Sequence, residues 1–229
     1  SCKEDGPDVL FTGESYENIM QYIEANPDYA SFNKIVISAN MTDVLSSYNS
    51  NGGNDFSLFL PNNEAVTRFI DESDRYSTFD ELLLDSFYTK ELVRYHLING
   101  KTPSLDFPNG ALNNKTISNY FLTVIFREEN DLINFYVNDE AKVLLKDIEM
   151  SNGNIHTIDL MLTPVVFTSY EWVEQRSDFT IFAELLNKCG LEDTLNRFEL
   201  DELGREKYDE YTLFAESDAL YADNGIFSF

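Results

Sequence analysis

The chain has 229 residues, enough for one large domain or two small ones, and at 43% hydrophobic and 14% aromatic it can build cores. Its 41 acids against 16 bases leave a formal charge of −25, which repels phosphate backbones and argues against nucleic acid or an anionic membrane surface as a partner. No run of about 18 apolar residues exists, so no membrane-spanning helix is predicted.

Residues 1–15 are charged, turn-rich and aperiodic, and read as a tether. Cys2 followed by Lys3, Glu4 and Asp5 resembles the mature N-terminus of a bacterial lipoprotein. On that likeness the Cys2 thiol carries a diacylglycerol, at about 0.8 kcal/mol of anchoring per buried CH₂. Lys3, Glu4 and Asp5 resemble the signal that sends some Gram-negative lipoproteins to the outer face of the outer membrane.

Residues 16–48 read as mostly helical, with apolar faces at Ile19, Tyr22 and Ile23, at Phe32, Ile35, Val36 and Ala39, and at Met41, Val44 and Leu45. Residues 49–55 are a loop by composition. Phe56, Leu58, Phe59 and Leu60 form an aromatic-rich run too short for a helix, hence a buried strand. Pro61 ends its ladder, and Asn62 or Asn63 caps a helix carrying Ala65, Val66, Phe69 and Ile70 on one face. Ser77-Thr78-Phe79-Asp80-Glu81 reads as another helix start, with an acid behind the cap. A further helix carries Leu92, Tyr95, His96 and Leu97 and is expected to close at Gly100. From Tyr120 the period changes to two, which predicts strands over 120–126, 133–137, 143–148 and 155–162, the first two joined by a turn at 128–131. Helices first and strands later indicate an α+β fold.

From Trp172 onward the beginning is retraced. Phe32 matches Phe182, Ile35 matches Leu185, Val36 matches Leu186 and Asp43 matches Asp193, each 150 positions on (182 − 32), and the strand–corner motif returns at 211–221 with Glu216 in place of the proline. Residues 199–210 read as a connecting loop. Cys189 lies beside Leu185 and Leu186 on an amphipathic pattern and is expected to be a buried free thiol.

Three stretches together identify a family resemblance. Residues 57–65 (Ser-Leu-Phe-Leu-Pro-Asn-Asn-Glu-Ala) resemble the first signature box of fasciclin-like (fasciclin I) domains, Tyr95-His96 its central pair, and residues 154–164 its closing box. The resemblance implies a wedge of short strands with a helical layer against it, in tandem: domain 1 over 16–168, and over 169–229 the N-terminal part of a second copy without a second Tyr-His pair or closing box. A longer natural chain is the expectation.

The only histidines are His96 and His156, each within an apolar pattern, where a hydrogen-bonded structural role is expected. No Gly-x-Ser-x-Gly, His-Glu-x-x-His or Cys-x-x-Cys motif is present, and no acidic loop has EF-hand spacing, so no catalytic residue, cofactor or metal is predicted. Asp159 is expected to accept backbone N–H groups at a nearby corner. The resemblance implies a non-enzymatic adhesion module that binds a protein or glycan at the cell surface, with Tyr95 and His96 as candidate interaction residues and Cys2 lipid as the membrane link. The alternative is an accessory or scaffold subunit of an outer-membrane protein complex such as a nutrient importer.

Overall fold

The computed structural model describes residues 17–47, 55–73, 75–129, 132–164, 168–200, 206–208 and 211–228. Cys2, Lys3, Glu4 and Asp5, and the turn residues 130–131, lie outside the described residues. Its contacts divide the chain into two compact units, Ser1–Pro164 and Val165–Phe229.

The first unit opens with α1 (Ile19–Ala25), α2 (Ala30–Ser38) and α3 (Thr42–Ser46). Asn18 and Gln21 close a reciprocal capping box on α1. Strand β1 (Phe56–Pro61) and α4 (Asn63–Asp71) follow the predicted corner, with the Asn62 side chain accepting from Ala65 N–H at 2.8 Å. Next come α5 (Phe79–Leu84), capped by Thr78, and α6 (Ser86–His96), capped by Asp85. The helix expected to run to Gly100 stops at His96, and the chain passes directly into β2 (Leu97–Asn99). Buried Leu97 and Ile98 gain a full ladder beside β1 there, which outweighs one more helical turn.

Strands β3 (Gly110–Ala111), β4 (Thr123–Glu129), β5 (Leu132–Val137), β6 (Ala141–Met150) and β7 (Gly153–Ile158) complete a seven-stranded mixed sheet, ordered β2-β1-β7-β6-β5-β4-β3. The α+β architecture thus matches the sequence expectation. The strand expected from Tyr120 begins at Thr123, and the one expected to reach Leu162 ends at Ile158. Strand β1 lies between antiparallel β2 and parallel β7, so β1 and β7 are buried along their whole length rather than on alternate residues. Gly153 is required at the head of β7: a Cβ there would stand 1.9 Å from the Phe56 carbonyl oxygen, and its φ is +154°.

Phe59 joins Tyr95, Ile98, Phe107, Leu122, Val124, Val137 and Ile158 in one core. Leu58 and Leu60 point the opposite way by alternation, and α4 and α6 pack on β1 as well. Strand β6 pairs with β5 only at Tyr136↔Lys142 and Val137↔Ala141. Beyond that it follows β7 through two register shifts, with Asp147 at φ +59°.

The second unit contains α7 (Ser169–Glu174), α8 (Thr180–Lys188), α9 (Glu192–Leu195), the paired strands β8 (Phe198–Leu200) and β9 (Glu206–Tyr208), and α10 (Asp218–Asp223). The 150-residue offset holds for α2 and α8 (180 − 30) and reaches individual bonds. Met41 N–H bonds Val36 C=O at 3.1 Å, and Leu191 N–H bonds Leu186 C=O at 3.0 Å. The left-handed residues before them are Asn40 and Gly190. Asn63 Oδ1 accepts from Ser31 N–H at 2.9 Å, as Asp218 Oδ1 accepts from Ile181 N–H at 2.9 Å.

Three expectations fail here. Residues 211–216, counterpart of β1, form no strand among the described residues. The expected loop 199–210 contains parts of the β8–β9 pair. Cys189 is exposed rather than buried, because α8 ends at Lys188 and the cysteine caps it beside Gly190.

Candidate functional site

Helix α6 delivers Tyr95 and His96 at its last turn, against β1 and the edge of the wedge core. His96 is 0% exposed. Its Nδ1 donates to Leu92 C=O at 2.7 Å, which leaves Nε2 to accept from Leu162 N–H at 3.0 Å. Both nitrogens are therefore engaged in the neutral ring. Burial pushes its pKa down to about 4, against an upward pull from the Leu92 bond. The ring also lies 5.3 Å from Phe32, joining the helical layer to the segment that closes the unit.

Tyr95 is 7% exposed. Its hydroxyl accepts from Asn138 Nδ2 at 3.2 Å, and its ring meets exposed Tyr120 edge-on at 5.9 Å. Burial raises its pKa, so the phenol stays protonated. A partner approaching this corner meets exposed Tyr120, edge-on to the Tyr95 ring, before either sequence-nominated residue.

His156 sits on β7 in a second polar knot. Its Nδ1 accepts from Asp147 N–H at 3.3 Å, and its Nε2 donates to Thr102 C=O at 3.0 Å. Burial again lowers its pKa. Ser57 donates to Asn154 Oδ1 at 2.6 Å and accepts from Thr102 N–H at 2.7 Å, so the 100–104 segment is tied to both β1 and β7. Asp147 receives Ser104 N–H at 2.8 Å and the Ser104 hydroxyl. Burial raises the Asp147 pKa, but these bonds outweigh it and hold the carboxyl below its usual range. Asp159 accepts Lys142 N–H at 2.7 Å, the corner role expected of it.

These polar groups are spent on one another and on backbone. No group of three His, Cys, Asp or Glu among the described residues is placed to hold a metal ion. A depression along α4, lined by Asn63, Glu64, Thr67, Arg68, Asp71 and Glu72, consists of side chains that all reach solvent. No helix among the described residues is long and apolar enough to cross a membrane.

Sequence reasoning missed two features. Asn152, buried at the β6–β7 turn, accepts Ile19 N–H at 2.9 Å and donates to Leu45 C=O at 2.8 Å, pinning α1 and α3 to the sheet. Asn138 and Asp139 both take left-handed φ in the turn after β5, a signal legible in the Asn-Asp pair itself.

The fasciclin domain model matches residues 27–164. Among matching solved structures is a FAS1 domain pair from the insect cell adhesion molecule fasciclin I, with a TM-score of 0.54 and 21% identity, over 65% of this chain and 51% of that one. The chain thus spans about half of that structure, and the likeness is one of fold. No curated protein matches the sequence.

Proposed function

The chain belongs to the fasciclin domain family, and from that premise we propose that it is a non-enzymatic binding module at the cell surface, tethered to the outer membrane by lipid on Cys2 and engaged in adhesion. Fasciclin domains are generally adhesion and protein-interaction modules. The observation that carries the reading is that the buried histidines of the first unit are used up as framework, each ring nitrogen having a hydrogen-bond partner, while large apolar side chains stand exposed on its surface. A general base needs a nitrogen free to reach substrate, and neither ring offers one.

A second reading, as an accessory subunit of an outer-membrane complex such as a nutrient importer, is favoured by exposed Phe126, Leu132, Ile133, Leu144 and Leu145, all on the neighbouring strands β4, β5 and β6. Exposed large apolar side chains gathered on neighbouring strands are commonly part of an interface.

Detergent extraction of native membranes, capture of the chain and mass spectrometry separate the two. A stoichiometric membrane partner makes it a complex subunit. Recovery alone, with binding of the purified chain to an immobilised extracellular protein or glycan, makes it a free-standing adhesin, and failure of both overturns the proposal. Cys2→Ser is expected to move the chain from the membrane to the soluble fraction. A Cys2→Ser chain that stays membrane-bound contradicts the lipid tether.

A further inference from the structure

The sheet of the first unit forks. Strand β5 is fully paired with β4 from Val124↔Val137 to Glu129↔Leu132, but its pairing with β6 stops at Tyr136↔Lys142. Past that point β6 turns away through its register shifts and Asp147, whose carboxylate Ser104 holds. Among the described residues no strand pairs with residues 132–135 on the edge away from β4. The base of the fork is filled: Phe135 lies edge-on to Phe107 at 5.8 Å and to Phe126 at 5.0 Å, and Lys146 Nζ sits 4.5 Å from the Phe135 ring centroid. The arms are not filled. Leu132 and Ile133 are each 67% exposed, and Leu144 and Leu145 stand exposed on the other arm.

Open edges of this sort are normally guarded by charge, proline or brevity. Strand β5 carries no such guard of its own, and the lysines that reach it from β6, Lys142 over Tyr136 and Lys146 over Phe135, lie toward its base. Its six residues, Leu-Ile-Asn-Phe-Tyr-Val, carry no charge in a chain that is 25% charged. Leu132 and Ile133 point to opposite faces by alternation, so both faces of the edge offer apolar contact.

We propose that residues 132–135 take up an extended segment of another protein as an added strand, apolar along its length and flanked by basic residues. Main-chain bonds to the open edge supply the affinity. The basic flanks follow from charge. Glu128 stands directly across from Ile133, and the whole chain carries −25. A second copy of the chain brings the same excess of negative charge and is repelled at long range, whereas a cationic segment is steered in. This rests on the reading of the chain as a binding module and names the kind of partner it binds.

The test uses the full chain and a fluorescent peptide of alternating valine and threonine with lysine at each end, followed by anisotropy. Saturable binding is expected, weakened roughly tenfold or more by glutamate in place of the terminal lysines, and by Ile133→Lys in the protein. Ile133 is exposed, so Ile133→Lys leaves thermal unfolding unchanged and isolates the surface effect. Ile133→Pro, which removes a donor that alternates to the open edge (Asn138 N–H, five residues on, bonds Thr123 C=O of β4), serves as a second variant and is expected to lose binding as well. Equal binding by wild type and both variants, indifference to the peptide's charge, or sedimentation as a dimer without peptide binding each overturns the proposal. If the peptide fails while the chain still binds an immobilised surface protein or glycan, the edge proposal falls and the binding-module reading stands.

Discussion

The two units begin with the same layout and part company at one strand. In the first, Phe59 of β1 is 0% exposed and lies in the core lined chiefly by the strands of the sheet. In the second its counterpart Phe214 is 88% exposed. The inward neighbours Leu213 and Ala215 still pack against Tyr170, Val173, Leu186 and Leu195. A helical layer can therefore close one face of this strand with its own side chains. The other face is closed only by strands of the β2, β6 and β7 kind, which bring Ile98, Val143 and Ile158.

Substitution at the paired positions should show the largest contrast. Phe59→Ala is expected to cost about 3–5 kcal/mol in the unfolding of the first unit, and Phe214→Ala within about 0.5 kcal/mol in the second, read from urea or thermal unfolding of the full chain. Gly153→Ala would drive a methyl group into the Phe56 carbonyl, and a loss above roughly 3 kcal/mol is expected. Gly190→Ala meets open space and bears only the left-handed backbone penalty of about 1 kcal/mol.

Acid should weaken the first unit before the second, because both histidines lie in it. His96 titrates near 6.5 when unfolded and at about 4 when folded, so the unfolded chain binds more protons between those values. The stability it contributes is full above pH 6.5 and is lost as pH falls toward 4. Lowering the pH from 7 to 5 is expected to cost about 2 kcal/mol from this group, and His156 adds in the same direction. Melting curves of wild type and His96→Gln across that range check it: the variant should have the flatter profile. Identical profiles would place the proton elsewhere.

The smallest contrast lies at the corners. Asn62 caps α4 with a side-chain bond, whereas Ser217 caps α10 with none, so Asn62→Ala is expected to cost about 1 kcal/mol and Ser217→Ala close to nothing. Equal costs in thermal unfolding would mean that the two corners are alike after all.

Local chemistry made much of this legible. The corner at Pro61–Asn62, the helix start within 77–81 and the helical repeat all follow from short-range spacing, and they stand as expected. What was illegible depends on distant partners. Leu97 and Ile98 continue an apolar helical pattern, but β1 claims them as a strand. Residues 211–216 repeat the pattern of a buried strand and find no strand to pair with among the described residues. Tyr95 and His96, interaction candidates only through the family resemblance, are buried joints of the frame, the structural role that the apolar pattern around His96 suggested. The open edge of β5 could have been suspected only from its lack of charge, since the departure of β6 is set by bulges that periodicity blurs.

The central claim is that polar chemistry in the first unit builds the frame while binding falls to the sheet edge. Hydrogen exchange of the full chain, with and without the lysine-flanked peptide, tests it most directly. Slowed exchange confined to residues 132–135 and their immediate neighbours is the predicted result. Slowing centred on residues 92–96, or no slowing anywhere, would contradict it.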